Sequence, residues 1–367
     1  MEMRDLLIAL NSRRDLKRAA VCRLGLDVEA WRDASVGDQR LATHLGVPLA
    51  QLDKAVDMCR QAGPAAAREK QRAEKLGCWI LTHLDEDYPP SLRDLSLPPP
   101  VLYVRGRLPN GPAIAIVGSR RQDDYGRQAA DLFAAGLAAR GVVIVSGFAR
   151  GVDQTAHKAA VETGGHTLAV HGCGLDIDYP TGSRPLAEAI GGAGASITEF
   201  PFGSEPRPWH FPVRNRVIAA MASGVLVVQA KERSGSLITA QLALEIGRDI
   251  FAVPGPIFDE LSMGTNSLIA DGAAIVRSPD DVLDHLSLGW QQELFPAPAK
   301  APAPRRRPDG SAGRLFDALP ERGGLTAEEI AAMLDLRVDQ ALAGLLELEI
   351  GGFIRRGPGP VYSQAGY

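Results

Sequence analysis

Five times between residues 113 and 236 an apolar run ends abruptly in a turn rich in glycine, serine or arginine. The runs are AIAIVGSR (113–120), VVIVSGFARGVD (142–153), HTLAVHGCG (166–174), SITEFPFG (196–203) and VLVVQAKERSGS (225–236). Stretches with helical spacing separate them. Apolar strands alternating with helices predict an α/β fold with a predominantly parallel sheet flanked by helices, and such sheets bind ligands outside the carboxyl ends of their strands. The pattern places strands at 113–117, 142–146, 166–171, 195–198, 225–229, 249–253 and 273–276. Helices are expected at 124–140, 153–164, 182–192, 213–222, 236–247, 264–271 and 279–287.

The chain is longer than this sheet needs. At 367 residues and 45% hydrophobic content, two or three domains are expected. Residues 1–76 read as a helical domain, since Leu45, Leu49, Leu52, Val56 and Cys59 recur at threes and fours. Residues 77–111, with five prolines after Tyr88, read as an ordered connector into the sheet domain at 112–289, a mere linker being the alternative. A Pro- and Ala-rich stretch with three consecutive arginines, Arg305 to Arg307, predicts a flexible linker at 290–310. Three short amphipathic helices and a hairpin at 353–364 then suggest a winged-helix-like domain at 311–367. Its last helix carries Asp339, Glu347 and Glu349 beside Arg337, so protein contact fits it as well as DNA contact.

Charge narrows the partners. A net charge of −4 and a pI near 6.0 give no overall basic bias, so a nucleic acid would have to be held by a local patch. Four scattered cysteines without a CxxC pair suggest neither a zinc site nor a disulfide framework, and fit a reducing cytoplasm. No run reaches the ~18 apolar residues of a membrane helix, so no membrane partner is expected.

The turns carry the candidate chemistry. Gly118, Ser119 and Arg120 would present backbone N–H groups, a hydroxyl and a guanidinium to a phosphate at a helix N-terminus. Ser146, Gly147 and Arg150 form a second such turn, followed by Asp153, a natural helix cap, and His157 on the same face. Gly172 and Gly174 would let backbone approach a ligand, although Asp176 and Asp178 beside them would repel phosphate unless turned away. Arg214, Asn215 and Arg216, in the first turn of a helix, suit a sugar-phosphate clamp; the alternative is ion pairing of the arginines with Glu199 or Asp178. Lys231, Ser234, Gly235 and Ser236, with Arg233, resemble a phosphate cradle but lack the GxxxxGK[ST] pattern of a nucleotide hydrolase. All of these lie on one expected edge of the sheet, with Phe148, Tyr179, Phe200, Phe202, Trp209 and Phe211 among them. Cations interleaved with aromatic rings are what a single-stranded nucleic acid requires.

Taken together, the blocks AIAIVGSR, SGFARGVDQTAH, GCGLDIDYP, SITEFPFG, FPVRNRVIAA, SGSLITAQLALEIGRDIFAVPG and GTNSLIADGA resemble the DNA-processing protein A (DprA/Smf) family. The resemblance implies a Rossmann-like domain that binds single-stranded DNA, with a SAM-like helical region before it and a winged helix after it. It also implies a non-enzymatic homodimer that protects incoming DNA and loads RecA recombinase in natural transformation, with no cofactor and no metal. Gly118, Ser119 and Arg120 match the family's phosphate-gripping turn, Ser146 and Gly147 its second turn, and Arg214, Asn215 and Arg216 its RNR block. Gln229 departs from the family, which more often has a carboxylate there, and so do His171 and Cys173. Two other readings stand beside it. One is a nucleotide phosphoribohydrolase-like enzyme on a related Rossmann fold, with Glu199 assisting glycosidic cleavage; the other is a sensor of a small nucleotide.

Overall fold

The central strands are buried on both faces, which is why they read as unbroken apolar runs and not as alternating ones. The computed structural model describes residues 2–59, 62–286, 310–320, 324–350, 353–356 and 361–364. They fall into two compact units, residues 1–297 and 298–367. The expected linker at 290–310 lies outside the described residues except for Gly310.

The first unit opens with six helices: α1 (Met3–Ser12), α2 (Arg18–Leu26), α3 (Val28–Trp31), α4 (Gln39–His44), α5 (Leu49–Cys59) and α6 (Ala62–Lys75). Strands β1 (Cys78–Thr82) and β2 (Val101–Gly106) follow, then β3 (Ala113–Val117), α7 (Asp124–Ala138), β4 (Val143–Ser146), α8 (Val152–Glu162), β5 (Thr167–Val170), α9 (Arg184–Ala193) and β6 (Gly194–Thr198). The unit ends with α10 (His210–Ala220), β7 (Gly224–Val227), α11 (Gly235–Glu245), β8 (Asp249–Ala252), α12 (Met263–Ala270), β9 (Ala274–Ile275) and α13 (Pro279–His285).

These nine strands form one sheet in the order β1-β2-β6-β5-β4-β3-β7-β8-β9. From β6 to β9 the pairing is parallel. The chain builds outward from β3 to β6, then returns to lay β7 on the other side of β3. That reversal opens a crevice beyond the ends of β3 and β7, the usual place for a ligand in such sheets.

Two features differ from the expectation. The segment 77–111 is no mere connector, because β1 and β2 extend the sheet antiparallel beyond β6. Its prolines occupy the 3-10 turn Pro90–Asp94 and the approach to β2, leaving both strands free to pair. Helix α10 begins at His210, three residues before the expected start, so Arg214 and Arg216 sit in its second turn. Pro212, third in the helix, lacks only an N–H that the first turn would not have bonded.

The helical segment packs on the sheet through a shared core. Leu6 to Leu10 of α1, Val21 and Leu24 of α2, and Val101 and Tyr103 of β2 belong to one buried cluster with Phe202. Tyr103 and Phe202 meet edge to face at 4.8 Å.

The second unit comprises α14 (Gly310–Ala318), β10 (Leu325–Thr326), α15 (Ala327–Leu334), α16 (Val338–Ile350), β11 (Ile354–Arg356) and β12 (Val361–Gln364). Its three strands pair antiparallel in the order β10-β12-β11, and Leu315, Phe316, Ile330 and Leu345 fill its core. Thr326 and Glu329 close a reciprocal capping box at the start of α15. Three helices and a small sheet make the winged-helix arrangement.

Candidate nucleic-acid interface

A groove of about 750 Å³ lies over the carboxyl ends of β3, β4 and β7. Its walls come from the turns after β3, β4 and β7, the loops carrying Tyr179, Pro206 and Pro208, the opening turns of α10 and α11, and Leu261 in the loop after β8. Of the expected residues it gathers Gly118, Ser119, Arg120, Arg214, Asn215, Lys231, Ser234, Gly235 and Ser236. Arg121 and Arg233 join them. Arg121 was not among the expected site residues; standing directly after Arg120 in the β3 turn was its signal.

Local chemistry shapes each wall. The turn after β3 is pressed against the start of α8, where the Val152 amide donates to the Ser119 carbonyl at 3.2 Å. Gly151 makes this possible: its φ is +85°, and a Cβ there would lie 2.3 Å from that carbonyl oxygen. Ser119 Oγ accepts from the Arg121 amide at 3.1 Å. Across the groove, Ser234 caps α11 by accepting from the Ser236 amide at 3.3 Å, and the two hydroxyls lie 2.7 Å apart. The positive end of an eleven-residue helix therefore faces the groove.

The rim cations Arg120, Arg121, Lys231 and Arg233 are exposed. Arg120 lies over the Phe211 ring at 4.8 Å, and Phe211 and Tyr179 stand 5.6 Å apart. Lys231 pairs with Glu260 at 2.5 Å, an exposed contact that solvent and salt weaken. A strand laid here meets side-chain cations, helix-terminal amides and two rings.

Arg214 plays a different part from the rim. It is only 4% exposed, and its Nη1 donates to the carbonyls of Gly147 and Val170, tying the ends of β4 and β5 together. Burial draws its pKa down to about 10 against the pull of Asp153, so it stays charged at neutral pH beneath the groove floor. Asp153, also buried, accepts from the Ala149 amide at 3.2 Å, and burial pushes its pKa up to about 6. His157 and His171 are driven down to about 3, chiefly by burial, and are neutral. His157 Nδ1 bonds Thr167 Oγ1 at 2.6 Å. Among the described residues no three His, Cys, Asp or Glu gather as metal ligands.

Several expected site residues sit outside the groove. Ser146 is wholly buried and donates to the Ile116 carbonyl at 2.6 Å, stitching β4 to β3. A Cβ on Gly147 would strike Asp153 and Arg214, one on Gly172 the Phe211 ring, and one on Gly174 the Asp176 carboxylate and the Pro201 carbonyl. These glycines make room for protein, not for ligand. Arg150 is exposed but does not line the groove.

Arg216 points the other way along α10. Its Nη2 contacts both oxygens of Glu199, at 2.7 and 2.8 Å, and its Nη1 donates to Leu97 O at 2.6 Å. Arg18 of α2 approaches the same carboxylate at 3.6 Å, while Asn11 of α1 donates to the Glu199 carbonyl at 3.0 Å. This seam binds the helical segment to the sheet. It also removes Glu199 from any role as an acid over a ligand, because both oxygens are engaged and the side chain is 1% exposed. Gln229, fully buried, donates to the Asp123 cap of α7 at 2.8 Å.

The family model for DNA recombination-mediator protein A matches residues 79–287, and that for the DprA winged helix domain matches 297–360. The chain belongs to the DNA recombination-mediator protein A family. It is 37% identical to Protein Smf of Escherichia coli over 81% of this chain and 84% of that one. With the DNA processing protein DprA of Streptococcus pneumoniae it shares 45% identity over 54% of this chain and 71% of the other. A crystal structure of DprA from Streptococcus pneumoniae superposes with a TM-score of 0.66 at 35% identity, covering 77% of this chain and 98% of that one. A DNA processing protein A structure from Helicobacter pylori, described for its single-stranded DNA binding mode, gives a TM-score of 0.53 at 30% identity over 58% and 96%. The match to the recombination-mediator family spans every groove wall, and the winged-helix match falls on the second unit.

Proposed function

We propose that this chain is a non-catalytic recombination mediator that holds single-stranded DNA in the groove at the β3/β7 switch point. Gly118, Ser119, Arg120, Lys231, Ser234, Gly235 and Ser236 grip phosphate, and Asn215 reaches the sugar-phosphate backbone. Arg214 supplies fixed charge from below. The observation that carries the reading is one concave site that holds exposed guanidiniums and two neighbouring rings, with Arg120 over Phe211 and Tyr179 beside it. Stacking rings serve bases that are unpaired, since a duplex hides its base faces. The Helicobacter relative, named for its single-stranded DNA binding mode, supports the same ligand.

The finer steps are part of the proposal. The chain acts as a homodimer in the cytoplasm, protects incoming DNA during natural transformation, and passes it to RecA recombinase. The loop after β8 supports self-association, because Ile257 and Phe258 are 75% and 96% exposed there. No described helix is long and apolar enough to cross a membrane.

Gel retardation with matched single-stranded and duplex oligonucleotides tests the core of this reading. Single strands should be held far more tightly, with log affinity falling by roughly 0.7 per log unit of salt for each phosphate engaged. Duplex preference or indifference to salt would refute it. RecA nucleation on a coated strand, measured with and without the protein, tests the hand-over.

A further inference from the structure

We propose that a second hollow, on the far side of Tyr179, is a phosphate subsite for the same strand; this rests on the single-strand reading of the groove. The hollow has a volume of about 410 Å³, and Tyr179 lines both it and the groove. Three cations from three separate elements line it: Lys75 at the end of α6, Arg105 on β2 and Arg184 at the start of α9.

The carboxylates nearby do not cancel them equally. Asp176 accepts from the Gly203 amide at 2.7 Å and faces Arg72 at 3.4 Å, while Asp178 accepts from the Gly182 amide at 2.9 Å. Asp176 is thus engaged by the loop after β6 and by α6, and Asp178 by its own turn. Glu188, one turn into α9, is the remaining carboxylate on the wall, and it opposes an anion there. Ser183, at the cap position of α9, makes no side-chain capping bond; its Oγ accepts from Gln154 Nε2 at 2.6 Å instead. The floor is polar but uncharged, with His171 Nε2 at 3.2 Å from Ser196 Oγ. A phosphodiester leaving the groove past Tyr179 would meet three cations, of which Arg105 also donates to the Leu175 carbonyl at 3.1 Å, and the first turn of a ten-residue helix in which Pro185 offers no N–H. The shared wall favours a continuing strand over a separate small molecule.

Three variants of the full chain test this: Lys75→Glu, Arg184→Glu and Glu188→Gln. Oligothymidylates of about 4 and about 20 nucleotides are the probes, bracketing the span over which single-strand grooves fill. Lys75→Glu and Arg184→Glu should each weaken the longer strand and lower its salt slope by roughly 0.7 per lost phosphate, with the shorter strand unaffected. Glu188→Gln should tighten the longer strand, a gain that damage to the fold would not produce. Equal losses on both lengths, or unchanged slopes, would overturn the subsite. So would thymidine monophosphate or inorganic phosphate saturating the hollow by calorimetry without displacing the longer strand. Failure of the wild-type chain to retain either oligonucleotide would instead defeat the groove reading itself.

Discussion

The groove and the Glu199 seam are both arginine-rich, and one helix feeds them both. From α10, Arg214 reaches under the groove and Arg216 turns into the seam. In the seam, two guanidiniums crowd one almost wholly buried carboxylate, Arg216 at 2.7 Å and Arg18 at 3.6 Å, so both cations are turned inward and closed to a ligand. In the groove, Arg120, Arg121 and Arg233 are exposed around helix-terminal amides, and among the described residues the salt bridge at its rim is the exposed Lys231–Glu260 pair. The contrast teaches that a density of arginine does not make an anion site. What makes one is cationic charge left exposed at a concave surface, where a ligand can reach it.

Removing the seam's carboxylate should have the largest effect. Glu199→Gln leaves Arg18 and Arg216 buried without their partner, a class of change that costs about 3–5 kcal/mol, and the denaturant midpoint should fall accordingly. If stability is unchanged, the seam is not what joins the helical segment to the sheet. Arg120→Glu should do the reverse: leave the thermal transition in place and weaken single-strand binding by the ~1.5–3 kcal/mol of a charge-assisted contact. Phe211→Ala should cost ~1–3 kcal/mol of binding for the lost stacking, with little change in salt slope because no phosphate contact is removed.

A pH titration sharpens the comparison further. The folded pKa of Asp153, about 6, stands above its unfolded value, so its contribution to stability is full below about pH 4 and disappears as pH rises through about 6. Ionised Asp153 also offsets Arg214, so single-strand affinity should rise as pH falls through about 6, and Asp153→Asn should flatten that rise. His157 and His171, held neutral down to about pH 3 against an ordinary 6.5, leave the groove's charge unchanged in this window but take up protons on unfolding, so their contribution to stability falls as pH drops below about 6.5, opposite in sign to that of Asp153. The smallest effect belongs to Glu260→Gln, which frees Lys231 and should tighten binding slightly at low salt only, as titration at two ionic strengths will reveal.

The parallel strands and their turns were legible because doubly buried strands leave unbroken apolar runs that stop where the ligand edge begins. Strands β1 and β2 were not, since prolines around Val101–Gly106 mimic a linker and the antiparallel pairing that rescues them is remote in sequence. Within the site, the rim could be read from its turns, but the division of labour in Arg214-Asn215-Arg216 could not. Glu199 stands as a possible partner in the sequence; only the fold decides that it meets Arg216 and not solvent. Ser146 and the glycines at 147, 172 and 174 mislead for a related reason. A residue that lets two protein segments touch has the same signature as one that lets a ligand approach.

The anchoring of Arg214 to two strand-end carbonyls reaches beyond stability. A long exposed side chain must give up rotational freedom each time it grips an anion, whereas this guanidinium has already been immobilised by folding. On the proposed single-strand reading, part of the attraction on an arriving polymer is therefore preorganised, and only the outer ring of side chains has to settle around it. Such a contact would lose less entropy on binding than one made by a free side chain.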